Sequence, residues 1–159
     1  MEFRAKISSM VVHKHIFGLW TYPTQILDVI PLAIWNLSSQ FEYLNLTHNQ
    51  INGEIPNNHV VFSTSSAINL RSNHFEGSLP YVSSSVIVLD PFDNSFSESI
   101  SSFLCFKMND SKSIGYLNLE KNNLSRKIHD CWIKWNSLRV LNLANNNFSG
   151  NIHWIFDNS

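Results

Sequence analysis

Pairs of leucine or isoleucine two residues apart recur along the chain, each followed by a polar interval, an asparagine, one apolar residue and a turn. The full cycle is L-x-L-x-x-N-x-[LIF]-x-G-x-[IL]-P, and it returns at roughly 21 to 28 residues, the spacing of a stacked repeat. Leu44, Leu46, Asn49, Ile51, Gly53, Ile55 and Pro56 make the first complete copy, and Ile68, Leu70, Asn73, Phe75, Gly77, Leu79 and Pro80 the second. The third keeps Leu89, Asn94, Phe96 and Ile100 but puts Pro91 at the second leucine and Glu98 at the glycine. The fourth runs Leu117, Leu119, Asn122, Leu124, Ile128 with Arg126 for the glycine, and the fifth runs Leu141, Leu143, Asn146, Phe148, Gly150, Ile152. A partial copy, Ile26, Asp28, Ile30 and Pro31, precedes them.

Side chains two apart on a strand share a face, so each leucine pair enters a core and the residue between them faces outward. One short strand per copy follows, at 43–46, 67–70, 87–89, 116–119 and 140–143, paired parallel with its sequence neighbours. A single copy buries too little to stand alone, and stacking supplies the rest of the core. The predicted fold is therefore an α/β-type repeat solenoid, a parallel β-solenoid with strands on a concave face and irregular or 3-10 segments on the convex side. Residues 1–22 fit no copy and are unassigned; 23–159 are the repeat domain, with one partial and five recognisable copies.

Two departures carry local expectations. Pro91 has no N–H for the ladder, which predicts that the third strand is the shortest or ends early. Glu98 and Arg126 stand where the template wants the backbone freedom of glycine, which predicts altered turns there. Ile34, Leu37, Phe62, Trp132 and Trp135 continue the apolar pattern between copies and are read as the outer half of the core rather than a sugar-stacking platform. Ser101, His129 and His153 replace the turn proline.

An amide side chain both donates and accepts, so the column Asn49, Asn73, Asn94, Asn122 and Asn146 is read as a structural ladder that satisfies buried turn backbone. The outward positions form the candidate binding surface. They run Tyr43, Ala67, Val88, Tyr116, Val140 in one column and Asn45, Asn69, Asp90, Asn118, Asn142 in the next. Beyond the leucines come Thr47, Arg71, Phe92, Glu120, Ala144, then His48, Ser72, Asp93, Lys121, Asn145. Tyr and Arg dominate binding hot spots, which singles out Tyr43, Arg71, Phe92 and Tyr116 among the candidates Tyr43, Asn45, Asn69, Arg71, Asp90, Phe92, Tyr116, Asn118, Glu120 and Asn142.

With those residues in view, the turns Gly53-Glu54-Ile55-Pro56 and Gly77-Ser78-Leu79-Pro80 resemble the plant-type extracellular leucine-rich repeat. Ile34-Trp35-Asn36-Leu37-Ser38-Ser39 leading into Tyr43-Leu44-Asn45-Leu46, and Asp130-Cys131-Trp132 leading into Leu138-Arg139-Val140-Leu141-Asn142-Leu143-Ala144-Asn145-Asn146, are similar to the ectodomains of plant receptor-like proteins. The resemblance covers roughly residues 23–153. It implies a non-catalytic module on the extracellular face of the plasma membrane that binds a protein, peptide or glycan ligand in immune or developmental signalling and works with a co-receptor kinase. The same repeat class also serves secreted inhibitors of microbial pectin-degrading enzymes, and a truncated, non-signalling relative is a third reading. The family's capping cysteines, membrane helix and tail are not in this sequence, so a fragment is expected.

Charge and chemistry narrow the picture. Eleven basic residues against twelve acidic ones offer no stripe for nucleic acid or anionic lipid. No run approaches the roughly 20 apolar residues of a membrane span, and His13, Lys14 and His15 interrupt what would be the core of a signal peptide. No short catalytic or phosphate-binding motif occurs, so neither an enzyme nor a cofactor is expected, and the pair His13 and His15 is read as solvated rather than metal-binding. Cys105 and Cys131 fall at nearly the same place on adjacent coils, which suits either a disulfide or two buried thiols. N-x-[ST] sequons at Asn36, Asn109, Asn123 and Asn147 are glycosylation candidates; a fifth, Asn45, would put a glycan on the binding surface.

Overall fold

The computed structural model describes residues 11–13, 29–56, 67–105, 113–131 and 135–150. Ile26, Asp28, Phe62, Asn109, Trp132, Ile152, His15 and His153 lie outside them. Five short strands, β2 (Tyr43–Asn45), β4 (Ala67–Asn69), β6 (Val88–Asp90), β8 (Tyr116–Asn118) and β10 (Val140–Asn142), pair in parallel in sequence order. Registers are continuous: Leu44 lies opposite Ile68, Ile68 opposite Leu89, Leu89 opposite Leu117 and Leu117 opposite Leu141. The chain is a parallel β-solenoid.

Strand β1 (Val11–His13) belongs to no repeat and pairs antiparallel with β2, extending the sheet at its first edge. A second set of short parallel strands follows the Asn positions: β3 (Asn52–Glu54), β5 (His74–Gly77) and β7 (Ser95–Phe96) form one ladder, and β9 (Ser125–Lys127) and β11 (Asn147–Ser149) another. An isolated bridge from Ser99 to Ser125 links the two. The expected irregular convex side thus carries a second sheet, together with helix α1 (Leu32–Trp35), a 3-10 turn (Ser38–Gln40) and helix α2 (Ser101–Cys105). The reason is that one buried residue per coil, such as Phe75 between exposed His74 and Glu76, suffices to hold a strand once its neighbours are stacked in register.

Leu44, Leu46, Ile68, Leu70, Leu89, Leu117 and Leu119 are buried between the two sheets. Down the middle runs an aromatic stack, with Trp35 edge-on to Phe75 at 6.5 Å and Phe75 stacked on Phe96 at 6.1 Å. Each such side chain removed from water contributes roughly 1.5–3 kcal/mol, so the stack helps tie three coils together. Trp135 is buried against Phe103 at 5.6 Å, in the core role expected for it.

Both local expectations need correction. The third strand is Val88–Asp90, one residue later than expected and no shorter than its neighbours. Its pairing with β4 does not use the Pro91 nitrogen, because Leu70 N donates to Asp90 O at 2.9 Å. The missing N–H shows only on the other side, where β6 and β8 share two residue pairs instead of three. Glu98 and Arg126 do not alter their turns either. Both take φ of +71°, beside +87°, +74° and +86° at Gly53, Gly77 and Gly150, so the left-handed conformation is kept and the strain is carried by a residue with a Cβ.

Candidate functional site

The concave face is built by two nested turns in each coil. At the strand exit, Asn45, Asn69, Asn118 and Asn142, and Asp90 in the third coil, accept the backbone N–H two residues on through Oδ1, at 3.0 to 3.3 Å. This Asx geometry aims Thr47, Arg71, Phe92, Glu120 and Ala144 along the rim of the sheet. The next residue is left-handed in every coil: His48, Ser72, Asp93, Lys121 and Asn145 have φ between +52° and +57°. The turn then delivers the ladder asparagine to the interior.

The ladder amides of Asn73, Asn94, Asn122 and Asn146 each join two coils. Asn73 Nδ2 donates to Leu70 O and to Leu46 O of the preceding coil at 3.0 and 2.8 Å, while its Oδ1 accepts from Ile51 N at 3.2 Å. Asn94, Asn122 and Asn146 repeat the pattern, with Phe75 N, Phe96 N and Leu124 N as donors to their carbonyl oxygens. Asn49 bonds to Leu46 O and Thr47 O of its own coil.

The structure divides the candidate binding residues. Asp90 and Asn118 are buried, and the Asn column has its Oδ1 atoms committed to the turns, so these residues shape the surface more than they offer it. Tyr43, Arg71, Phe92, Tyr116 and Glu120 are half-buried and face outward. Arg71 Nη1 meets Asp90 Oδ2 at 3.0 Å, and its guanidinium carbon lies 4.3 Å from the centroid of Phe92. Lys121 Nζ approaches the same ring at 5.1 Å. Lys121 was not singled out from sequence, although its place beside the Arg71 and Phe92 column was readable there. Glu120 turns the other way, its two oxygens accepting from Asn142 Nδ2 at 2.8 Å and Asn145 Nδ2 at 3.1 Å. Ser72 Oγ donates to Asp93 Oδ2 at 3.1 Å.

Away from this face, Cys105 and Cys131 are joined, with Cα atoms 5.2 Å apart, tying α2 to the next coil. Asn36, Asn123 and Asn147 are exposed, whereas Asn45 is half-buried on the concave face. No helix among the described residues is long and apolar enough to cross a membrane.

A family model described as Leucine Rich Repeat matches residues 40–59 and 137–159. With the parallel coils and the Asn ladder, this makes the fold a leucine-rich-repeat solenoid, similar to the ectodomains of plant receptor-like proteins. It is 37% identical over 117 residues to Receptor-like protein EIX2 of Solanum lycopersicum, covering 74% of this chain and 11% of the relative. It is 28% identical over 130 residues to Receptor-like protein 54 of Arabidopsis thaliana, covering 80% of this chain and 16% of the relative. Among solved structures, the Arabidopsis receptor kinase HAESA, in complex with the peptide hormone IDA and the co-receptor SERK1, superposes with a TM-score of 0.64 at 31% identity, over 79% of this chain and 21% of that one. The chain therefore spans a small part of the length of the relatives it matches.

Proposed function

We propose that this chain is a non-catalytic recognition module of a plant cell-surface receptor-like protein, binding a peptide or protein ligand along its concave face in immune or developmental signalling. The observation that carries the reading is the outward set of Tyr43, Arg71, Phe92 and Tyr116. Tyr and Arg are hot-spot residue types, and Arg71 and Phe92 are held in place by Asx turns, Arg71 also by Asp90. A surface so preorganised loses little side-chain entropy when it binds. Similarity to HAESA, solved with a peptide hormone and a co-receptor, supports a peptide ligand and a partner kinase. The disulfide and the exposed sequons fit an oxidising, extracellular location.

The test is site-directed photo-crosslinking in plant extracellular fluid. A photoreactive phenylalanine analogue at Phe92 is expected to capture a peptide or protein that the same analogue at His129, exposed outside the concave face, does not. Capture at position 129 with none at position 92 would place the ligand elsewhere and overturn the reading.

A further inference from the structure

We infer that the concave face is specific for an acidic peptide segment, whose carboxylates are received by Arg71 and Lys121 at the Phe92 ring. The inference rests on the concave face being the ligand surface.

Formal charge alone argues the opposite. Across the outward columns Arg71 and Lys121 face Asp90, Asp93 and Glu120, an acidic balance that would select a basic ligand. On an exposed surface, however, charge beyond about 8 Å is screened at physiological salt, and contacts made atom to atom decide. The carboxylates are already engaged: both oxygens of Asp90 by Phe92 N and Arg71, both of Glu120 by Asn142 and Asn145, and Oδ2 of Asp93 by Ser72. The donors are not. Lys121 has three N–H groups and makes no ion pair among the described residues, its neighbour there being the Phe92 ring. Arg71 has five N–H groups and directs Nη1 to Asp90, which leaves the rest of the fork. On the same face, Asn45 and Asn69 use Oδ1 in their turns, and their Nδ2 groups have no partner among the described residues. Among the described residues, Lys121 is the charged group of this face left without a polar partner, which calls for an acidic ligand.

Geometry brings both cations to one ring. Arg71 and Lys121 come from coils separated by that of Phe92, and both are drawn to its ring, at 4.3 and 5.1 Å from the centroid. Asp90 holds Arg71, and the pull of Asn142 and Asn145 on Glu120 keeps the carboxylate adjacent in sequence away from Lys121. Carboxylates entering at Phe92 would replace water on these cations without breaking the Arg71–Asp90 ion pair.

The test is fluorescence anisotropy on the full chain with two labelled heptapeptides, Gly-Glu-Gly-Asp-Gly-Glu-Gly and its counterpart with Lys and Arg at the charged positions. The acidic probe is expected to bind more tightly than the basic one. Lys121→Glu should weaken the acidic probe roughly two- to fivefold, with Lys121→Gln in between, since exposed ion pairs are worth that much. Tighter binding of the basic probe, no binding of the acidic probe, or indifference to Lys121→Glu would each overturn the inference. The crosslinking test separates the two levels. Capture at position 92 with failure of the acidic probe rejects only the acidic preference, whereas capture confined to position 129 rejects the concave face as well.

Discussion

The side chain of Glu54 lies across Gly77 of the next coil, so close that a Cβ on Gly77 would sit 2.8 Å from both Cγ and Cδ of Glu54. Lys127 covers Gly150 in the same way, at 3.2 Å from Cγ, and Val29 covers Gly53 at 3.4 Å. By register, Ser78 and Ser99 occupy the covering position for Glu98 and Arg126. Long residues therefore stand over glycine and short ones over the two residues that replace it. The glycine of the repeat answers two demands, a left-handed φ and the approach of a neighbouring side chain. Glu98 and Arg126 escape only the second.

The two demands are separable by mutation. Gly77→Ala at φ +74° incurs roughly 1–2 kcal/mol for the left-handed conformation. The contact should matter less, because Glu54 is exposed and its flexible side chain can swing aside. Glu54→Ser in the Gly77→Ala background is therefore expected to restore only a few tenths of a kcal/mol in urea unfolding, an ordinary coupling for neighbours whose contact is adaptable. Full restoration would show that the contact, not the backbone, sets the requirement for glycine.

At the positions where the strain is carried, glycine should help. Glu98→Gly and Arg126→Gly each relieve a φ of +71° and remove only an exposed side chain, so each is expected to stabilise the chain by about 1 kcal/mol. Differential scanning calorimetry of the single and double variants measures this. Lowered melting temperatures in both single variants would mean that the side chains contribute more than the strain removes.

Leu44, Leu46 and their counterparts made the concave sheet legible, because a period of two with one buried face leaves little choice of register. The ladder was equally plain from Asn49, Asn73, Asn94, Asn122 and Asn146. Less visible was the second sheet, whose strands read as polar turns: Asn52–Glu54 has exposed ends and a glycine centre, and nothing local marks it as β. The role of Asn69 and Asn142 in the strand exits was hidden for a related reason. An outward Asn looks available for a ligand until the bond from the N–H two residues on is seen. Lys121 was missed because its contact with Phe92 depends on a left-handed turn at φ +56° that no glycine or proline announces.

Asn122, like Asn73, is a ladder residue whose loss should be damaging. It is buried, donates to Pro91 O, Leu119 O and Glu120 O, and accepts from Phe96 N. Asn122→Ala strands the buried Phe96 N–H and weakens several carbonyls. At roughly 1–3 kcal/mol for each unsatisfied group, a loss of about 2–4 kcal/mol is expected. Denaturant midpoints test this against an exposed control, Asn123→Ala, which should change stability by less than about 0.5 kcal/mol. Equal effects would mean that water replaces the ladder amide.

The Cys105–Cys131 bond closes a loop with a sequence separation of 26 residues. A closure of that size restricts the unfolded chain by about 3 kcal/mol. The paired Cys105→Ser, Cys131→Ser variant should lose stability of that order, and reducing agent should lower the unfolding midpoint of the parent chain but not of the variant. A parent chain indifferent to reduction would show that the bridge does not form in solution.

The β10 edge of the sheet is less well covered than the strands before it. Leu117 and Leu119 are 0% exposed and Leu124 is 1% exposed, whereas their counterparts Leu141, Leu143 and Phe148 in the next coil are only partly buried and Val140 is 45% exposed. An apolar hollow bounded by Leu117, Ile128, Leu138, Leu141 and Leu143 opens at this side. Each large apolar side chain left in water forfeits part of roughly 1.5–3 kcal/mol, so several together rival the whole stability of a small domain. An edge strand also presents unpaired N–H and C=O groups that another strand can satisfy. Purified by itself at micromolar concentration, the chain is therefore expected to self-associate in a concentration-dependent manner, and Leu141→Lys with Val140→Lys should shift it toward monomer by charging that edge. Sedimentation velocity across a dilution series is the measurement. A cooperative monomer at every concentration would show that this edge is covered in solution and that the half-buried residues of the last coil are protected by the chain itself.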